Sequence, residues 1–343
     1  GITGLTILYF FVNGATSLAV DAIWDVFDSF VLSAVPMFIL LGEILLRSGI
    51  SERIYSAFSP VFRKVPGGLL HSNITVCTVF GAVSGSSLST AAAVGSVAYP
   101  EMVKTGYDKE AVVGSLAGGG TLGLLIPPSL SLLIYGALTE TSIGRLFIAG
   151  IIPGLMVSGL FMLYILILCI RKPNISPRST EVYRLADIFS GMKQIWPVII
   201  LILAILGSIV AGIATPTEAA GVGVVVAILI SFVWGSLTIK ELGLAVYRSV
   251  LVFGSIGFIV LGATILSQSI SVLGVPRDIL EATASGDIGK YAVFAIIIIL
   301  YVVLGCIFDG LSLMIMTLPL VLPLLTGYGF DPIWIGVIIT IMI

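Results

Sequence analysis

The sequence predicts an all-α integral membrane fold: an inverted repeat built from two re-entrant helical hairpins and discontinuous helices. Three observations predict it. First, 58% of the 343 residues are hydrophobic and only 10% charged, with a mean hydropathy of +1.19. Soluble domains carry about a quarter charged residues, so 16 Lys+Arg and 18 Asp+Glu cannot cover a water-facing surface on a chain of this length. Second, 39 Gly and 15 Pro are too many for uninterrupted spans, because membrane helices tolerate breakers only where protein or a cavity satisfies the freed backbone groups. Third, two charge-poor stretches are too long for one helix each. The formal net charge of −2, with no basic cluster, excludes a nucleic-acid partner, which requires a concentrated field of Lys and Arg.

Read from one charge to the next, the spans fall in order. Residues 3–20 are expected as a partial or tilted span, followed by an acidic turn at Asp21, Asp25 and Asp28 and a second span over 30–46. Residues 65–100 then run for 36 positions without Asp, Glu, Lys or Arg, more than one helix needs to cross about 30 Å at about 1.5 Å per residue. The small, polar string Gly81-Ala-Val-Ser-Gly-Ser-Ser-Leu-Ser-Thr90 at their middle favours a turn. This is a hairpin with its tip inside the membrane. Residues 111–139 are a helix cut in two by Gly118-Gly-Gly-Thr-Leu-Gly-Leu-Leu-Ile-Pro-Pro-Ser129. Pro127 and Pro128 have no N–H, so the carbonyls of Gly123 and Leu124 lose their helical donors, and Ile126 is pushed toward an extended backbone. Free carbonyls at membrane depth need a partner, and in discontinuous transporter helices that partner is often a cation. Residues 146–170, 194–213, 216–234 and 249–273 read as ordinary helices. Residues 291–330 repeat the hairpin design, with 40 residues and a single charge, Asp309, beside Gly310.

Lys and Arg set the orientation. With the hairpins entering from opposite faces, 13 basic residues lie on one side and only Arg145, Arg277 and Lys290 on the other, so the first side is cytoplasmic. The first hairpin then enters from the cytoplasm and the second from outside, the inverted-repeat arrangement of secondary transporters. The chain opens on Gly1 and closes on Ile343, both inside apolar runs, and reads as trimmed at either end, with no basic signal-peptide region.

Each polar motif has two readings. Ser84-Gly-Ser-Ser87 at the first tip can cap the returning helix or supply hydroxyl oxygens to a neutral cage for a hard cation, close to the carbonyls of the broken helix. Asp309 and Ser312 at the second tip can likewise cap or bind a cation, the two roles being compatible. Thr215-Pro-Thr-Glu218 fits a capping box, with Thr at the N-cap and Glu three residues on. His71, without clustered acid or Cys, is a boundary residue rather than a ligand. Cys77, Cys169 and Cys306 lie too far apart for a metal site and read as packing residues. Trp24, Trp196 and Trp234 are expected at span ends.

Five strings carry a resemblance: Ser84-Gly-Ser, Ala91-Ala-Ala-Val-Gly-Ser, Gly123-Leu-Leu-Ile-Pro-Pro-Ser129, Ser142-Ile-Gly-Arg-Leu-Phe-Ile-Ala-Gly-Ile-Ile-Pro-Gly154 and Ala214-Thr-Pro-Thr-Glu-Ala-Ala220. In order and spacing the chain resembles the large membrane (M) subunit of tripartite ATP-independent periplasmic (TRAP) transporters. The resemblance implies an elevator fold of the ion-transporter superfamily type in the bacterial inner membrane. It implies Na⁺-coupled import of carboxylates such as C4-dicarboxylates or sialic acid, a periplasmic substrate-binding (P) protein and a small membrane (Q) subunit, and no enzymatic activity. It places one Na⁺ site at Ser84 and Ser86 with the carbonyls of Gly123, Ile126 and Pro128, and a second at Asp309 and Ser312. Ser87 and Thr90 are its candidates for substrate; the family often has Asp where Thr90 stands. It also implies N-terminal scaffold spans over 1–64, a transport core over 65–145, a spanning helix over 146–170 and a cytoplasmic connector over 171–193. Second-half scaffold spans and an arm follow over 194–290, then the second hairpin and the start of a second broken helix over 291–343.

Other functions remain open at this point. A stand-alone dicarboxylate or citrate carrier would share the hairpins without a binding protein. An intramembrane hydrolase needs a nucleophile and base or a metal cluster, for which one His and scattered acids offer little. A channel fits closed hairpins less well than alternating access does.

Overall fold

The computed structural model describes residues 1–12, 15–177, 191, 193, 195–285 and 289–343, and among them the secondary structure is helical, with no strand. Most of the expected connector over 171–193, with Arg178 and Arg184, lies outside the described residues, as does Asp287. Among the described residues five helices are long and apolar enough to cross a membrane, or six if one bent pair counts as a span. The protein is a multi-pass membrane protein on this ground.

The chain divides into two compact units. One comprises Ala34–Leu133 and Phe147–Val250; the other comprises Gly1–Ser33, Ile134–Leu146 and Leu251–Ile343.

In the first unit, α3 (Ala34–Arg47) and α4 (Ile50–Phe62) meet at a 66° bend. Gly49 makes the bend with φ +70, and a Cβ there would lie 2.8 Å from the Ser236 hydroxyl, so glycine is required twice over. Helices α5 (Leu69–Ser84), α6 (Ser87–Lys104) and α7 (Lys109–Leu125) pack together as the centre of this unit, and the chain continues through α8 (Leu130–Leu138) and α9 (Ile143–Arg171). Seen as one interrupted span, 109–138 holds an apolar 18-residue stretch of which 83% is buried, whereas the corresponding stretch of α9 is 17% buried. The broken helix is therefore sheathed in protein while the unbroken one is largely exposed, in keeping with the cost of bare carbonyls in hydrocarbon. The span expected at 194–213 is α10 (Trp196–Val210), with a π-helical turn over Leu203–Gly207. Helix α11 (Pro216–Val233) begins with the expected capping box: the Thr215 N–H donates to Glu218 at 2.8 Å and the Glu218 N–H to the Thr215 hydroxyl at 3.3 Å.

In the second unit the expected span over 3–20 is two helices, α1 (Ile2–Phe11) and α2 (Ser17–Asp28). Asp21, Asp25 and Asp28 are not in a turn. They lie on one exposed face of α2, opposite buried Ala19 and Ala22, because their spacing follows the helical period. Helix α12 (Ile239–Val272) starts ten positions before the expected 249 and meets α1 at Gly4, whose carbonyl accepts the Ser269 hydroxyl at 3.0 Å. Then come α13 (Val275–Ser285), α14 (Lys290–Gly305), α15 (Gly310–Gly327) and α16 (Pro332–Met342).

Three smaller expectations change. Cys306 is exposed, unlike buried Cys77 and Cys169, its thiol donating to the Val302 carbonyl at 3.3 Å. Trp24 sits inside α2 rather than at its end, while Trp234 does end α11 and lies 5.0 Å under the Arg53 guanidinium. His71 occupies the first turn of α5 but is buried, its Nε2 2.9 Å from the Pro66 carbonyl oxygen.

Candidate functional site

The first site grows from a two-residue break. The ten-residue string expected to turn is helical except at Gly85 and Ser86. Gly85 ends α5 with φ +62, its N–H donating to the Gly81 carbonyl at 2.9 Å. This left-handed C-terminal geometry is open to glycine and costly for other residues. Ser86 starts α6 as its N-cap, the hydroxyl accepting the Ser89 N–H at 3.4 Å. The capping reading therefore holds for Ser86. Its carbonyl does more: it accepts the Thr90 hydroxyl at 2.7 Å and the Ser84 hydroxyl at 3.4 Å. Ser84 and Thr90 are in turn 2.7 Å apart through their oxygens. Ser84 is 1% and Thr90 0% exposed, so three oxygens are gathered in a closed, uncharged place.

The broken helix closes over this tip. A Cβ on Gly123 would lie 2.6 Å from both the Ser86 carbonyl oxygen and the Thr90 hydroxyl, and one on Gly81 would lie 2.8 Å from the Gly123 Cα. Only bare backbone on both helices permits that approach. At the break itself, the Gly85 carbonyl accepts the Leu130 N–H at 3.1 Å, and the Pro128 carbonyl oxygen is 3.0 Å from where a Gly85 Cβ would stand. Ile126 is extended (φ −81, ψ 121) as expected before a proline, and its side chain lies against Gly154 of α9.

One expectation about the freed carbonyls is corrected. The Leu124 carbonyl is not open, because the Ser131 hydroxyl reaches back across the break and donates to it at 2.8 Å. Of the two carbonyls that the prolines strip, Gly123 retains no donor among the described residues. Ser129 begins α8, its hydroxyl accepting the Leu132 N–H at 3.3 Å. The role of Ser131 was not visible in the sequence: it lies seven positions beyond Leu124 across a change of direction, where no helical spacing applies. The structure thus brings Ser84, Ser86, Thr90, Gly123 and Pro128 to one place. Ser87 sits beside them, half-buried in the first turn of α6.

The second set lies in the other compact unit. Asp309 is the N-cap of α15, one carboxylate oxygen accepting both the backbone N–H and the hydroxyl of Ser312, each at 3.3 Å. Asp309 is exposed and Ser312 half-buried. The break here, Cys306–Asp309, is longer than the first, and a Cβ on Gly310 would meet the Ile343 carbonyl oxygen at 2.9 Å. Among the described residues no group of three His, Cys, Asp or Glu is positioned to hold a metal.

A model of the family described as the tripartite ATP-independent periplasmic transporter, DctM component, matches residues 1–343. The chain belongs to the DctM family. Relatives agree along nearly all of it. The C4-dicarboxylate TRAP transporter large permease protein DctM of Pseudomonas aeruginosa is 31% identical over 99% of this chain and 79% of its own length. The ectoine/5-hydroxyectoine TRAP transporter large permease protein UehC of Ruegeria pomeroyi is 35% identical over 91% of this chain and 72% of its own length. The sialic acid TRAP transporter permease protein SiaT of Haemophilus influenzae is 32% identical over 98% of this chain and 54% of its own length. The DctM family is a family of transporter permeases rather than of enzymes.

Proposed function

We propose that this DctM-family chain is the transport subunit of a Na⁺-coupled importer of small organic carboxylates, working as an elevator in the bacterial inner membrane. The observation that carries the sodium reading is the set of uncharged oxygens at the first tip, the hydroxyls of Ser84 and Thr90 and the Ser86 carbonyl, with Gly123 of the broken helix packed against them and the Pro128 carbonyl oxygen beside Gly85. Hydroxyl and carbonyl oxygens suit a hard cation, and half-helices that end at membrane depth direct them there. In this reading Ser84, Ser86, Gly123, Ile126 and Pro128 hold one Na⁺, and Thr90, buried within the network, orders the cage rather than meeting substrate. Ser87, on the rim, is the better substrate contact. Asp309 and Ser312 contribute to a second Na⁺ site, where the carboxylate offsets the charge of the ion. The elevator division, in which 65–145 and 291–343 move against scaffold spans, is a partition by motion and need not follow the compact units.

Relatives named for C4-dicarboxylate, ectoine and sialic acid support an organic acid as cargo. A P protein would deliver it and a Q subunit would accompany the chain. Docking falls to the exposed acids Asp21, Asp25 and Asp28, to Glu140 and Arg145, and to Arg277, which is paired with Glu281 at 2.9 Å. Charges of mixed sign on a rim act mainly on encounter rate, so the docking is transient and sensitive to salt.

The test is uptake by the complete transporter in proteoliposomes. An inward Na⁺ gradient is expected to drive accumulation. Uptake unchanged in Na⁺-free buffer would overturn sodium coupling, and uptake equally fast without a P protein would favour a stand-alone carrier.

A further inference from the structure

The break between α7 and α8 is crossed by a side chain that does more than satisfy a stripped carbonyl. Pro128 has no N–H to give Leu124, and the Ser131 hydroxyl donates there instead, at 2.8 Å. Ser131 lies in the first turn of α8 and Leu124 in the last turn of α7, and both are buried. The bond therefore joins one half-helix directly to the other. Leu130, the residue before Ser131, reaches the hairpin: its N–H donates to the Gly85 carbonyl at 3.1 Å. The first turn of α8 is thus tied both to the end of α7 and to the tip.

A third link closes the figure. Gly123, the residue before Leu124, is where α7 abuts the tip, since a Cβ there would lie 2.6 Å from the Ser86 carbonyl oxygen and from the Thr90 hydroxyl. The end of α7, the start of α8 and the tip are each linked to the other two. A triangle of links holds its shape where an open chain of two can fold. Without the bond from Ser131 to Leu124, the two half-helices are freer to pivot at residues 126–129, and the tip, which touches both, is freer to follow.

That matters for a cation, because hard ions bind at fixed oxygen distances and groups that hold the ligands in place set much of the affinity. We propose, resting on the sodium reading, that Ser131 is a positioning residue for the cation site at the first tip. It fixes the separation of α7 and α8, and with it the spacing of the cage, without itself touching the ion. Its one proton is committed to the Leu124 carbonyl.

The test uses the complete transporter, with two readouts: the rise in melting temperature in detergent as Na⁺ replaces choline, and the Na⁺ dependence of uptake in proteoliposomes. Ser131→Ala removes one oxygen and adds no heavy atom, so the chain is expected to fold, with a lower melting temperature in choline. The Na⁺ concentrations for half of the thermal shift and for half-maximal uptake are expected to rise roughly tenfold. Ser131→Thr, which keeps the hydroxyl, is expected to hold both within about twofold of wild type. Ser72→Ala is the control. That buried hydroxyl, at the opposite end of α5 from the tip, donates to the Phe58 carbonyl at 3.3 Å, and its loss is expected to lower the melting temperature with the Na⁺ concentrations unchanged. A Ser131→Ala transporter that melts lower but keeps the wild-type Na⁺ concentrations would reduce Ser131 to a structural hydroxyl and overturn the proposal. An equal rise in Ser72→Ala or in Ser131→Thr would overturn it too. A wild-type transporter whose melting and uptake both ignore Na⁺ would instead overturn the sodium reading, and the role of Ser131 with it.

Discussion

The two hairpins share a frame and differ at their tips. An offset of 223 positions carries the N-cap Ser86 onto the N-cap Asp309, and the N-cap Asp108 onto the N-cap Asp331. It carries α6 onto α15, each 18 residues long, Pro100 onto Pro323, and Gly106 (φ +88) onto Gly329 (φ +81). Yet at the first tip the uncharged Ser84 and Thr90 are buried with Gly123 packed against them, while the second carries a carboxylate. Helix length and capping repeat because they are local. Charge does not repeat: a serine hydroxyl caps the returning helix at one tip and a carboxylate caps it at the other.

The sharpest way to break this comparison is to fill the close approach at the first tip. Gly123→Val puts side-chain atoms within 2.6 Å of the Ser86 carbonyl and the Thr90 hydroxyl, neither of which can yield cheaply. Overpacking of this kind costs about 1–3 kcal/mol or more, so thermal unfolding in detergent is expected to shift down clearly and uptake to be abolished. A variant with wild-type stability would show that the tip and the broken helix are less tightly joined than this geometry requires.

Thr90→Val keeps the volume but removes a buried hydroxyl that serves two partners. Leaving them unsatisfied costs about 1–3 kcal/mol. If the network is also the ion cage, the Na⁺ concentration for half-maximal uptake is expected to rise roughly tenfold, which corresponds to about 1.4 kcal/mol. Loss of stability with unchanged Na⁺ dependence would confine Thr90 to structure.

Asp309→Asn separates capping from charge at the second tip. Asn caps about as well as Asp, so stability is expected to stay within about 0.5 kcal/mol while the Na⁺ dependence of uptake changes. If uptake and its Na⁺ dependence were untouched, the carboxylate would be a cap and nothing more.

The smallest effect is expected from Glu218→Gln, at the capping box of α11. Gln serves at that position as well as Glu does, so the melting temperature is expected to move slightly and the Na⁺ dependence not at all. A change in Na⁺ dependence would mean that acids at helix starts act on coupling generally, erasing the distinction drawn for Asp309.

By itself the sequence determined what depends on neighbours along the chain. Stretches free of charge located the spans, because burying charge in hydrocarbon is costly. Pro127-Pro128 determined the break and the extended Ile126, since a missing N–H and a steric clash act within four residues. Thr215, Glu218 and Asp309 were legible as caps for the same reason, their partners being three positions away. Only the tertiary structure decided that Gly85 rather than another small residue ends α5, since the closeness of Pro128 and Leu130 selects it. It also decided that Ser131 occupies the Leu124 carbonyl, that Thr90 is shut inside the tip, and that the acids of α2 share a helical face. Each of these turns on distances set by how helices pack, and a glycine that permits backbones to touch looks in sequence like any other glycine.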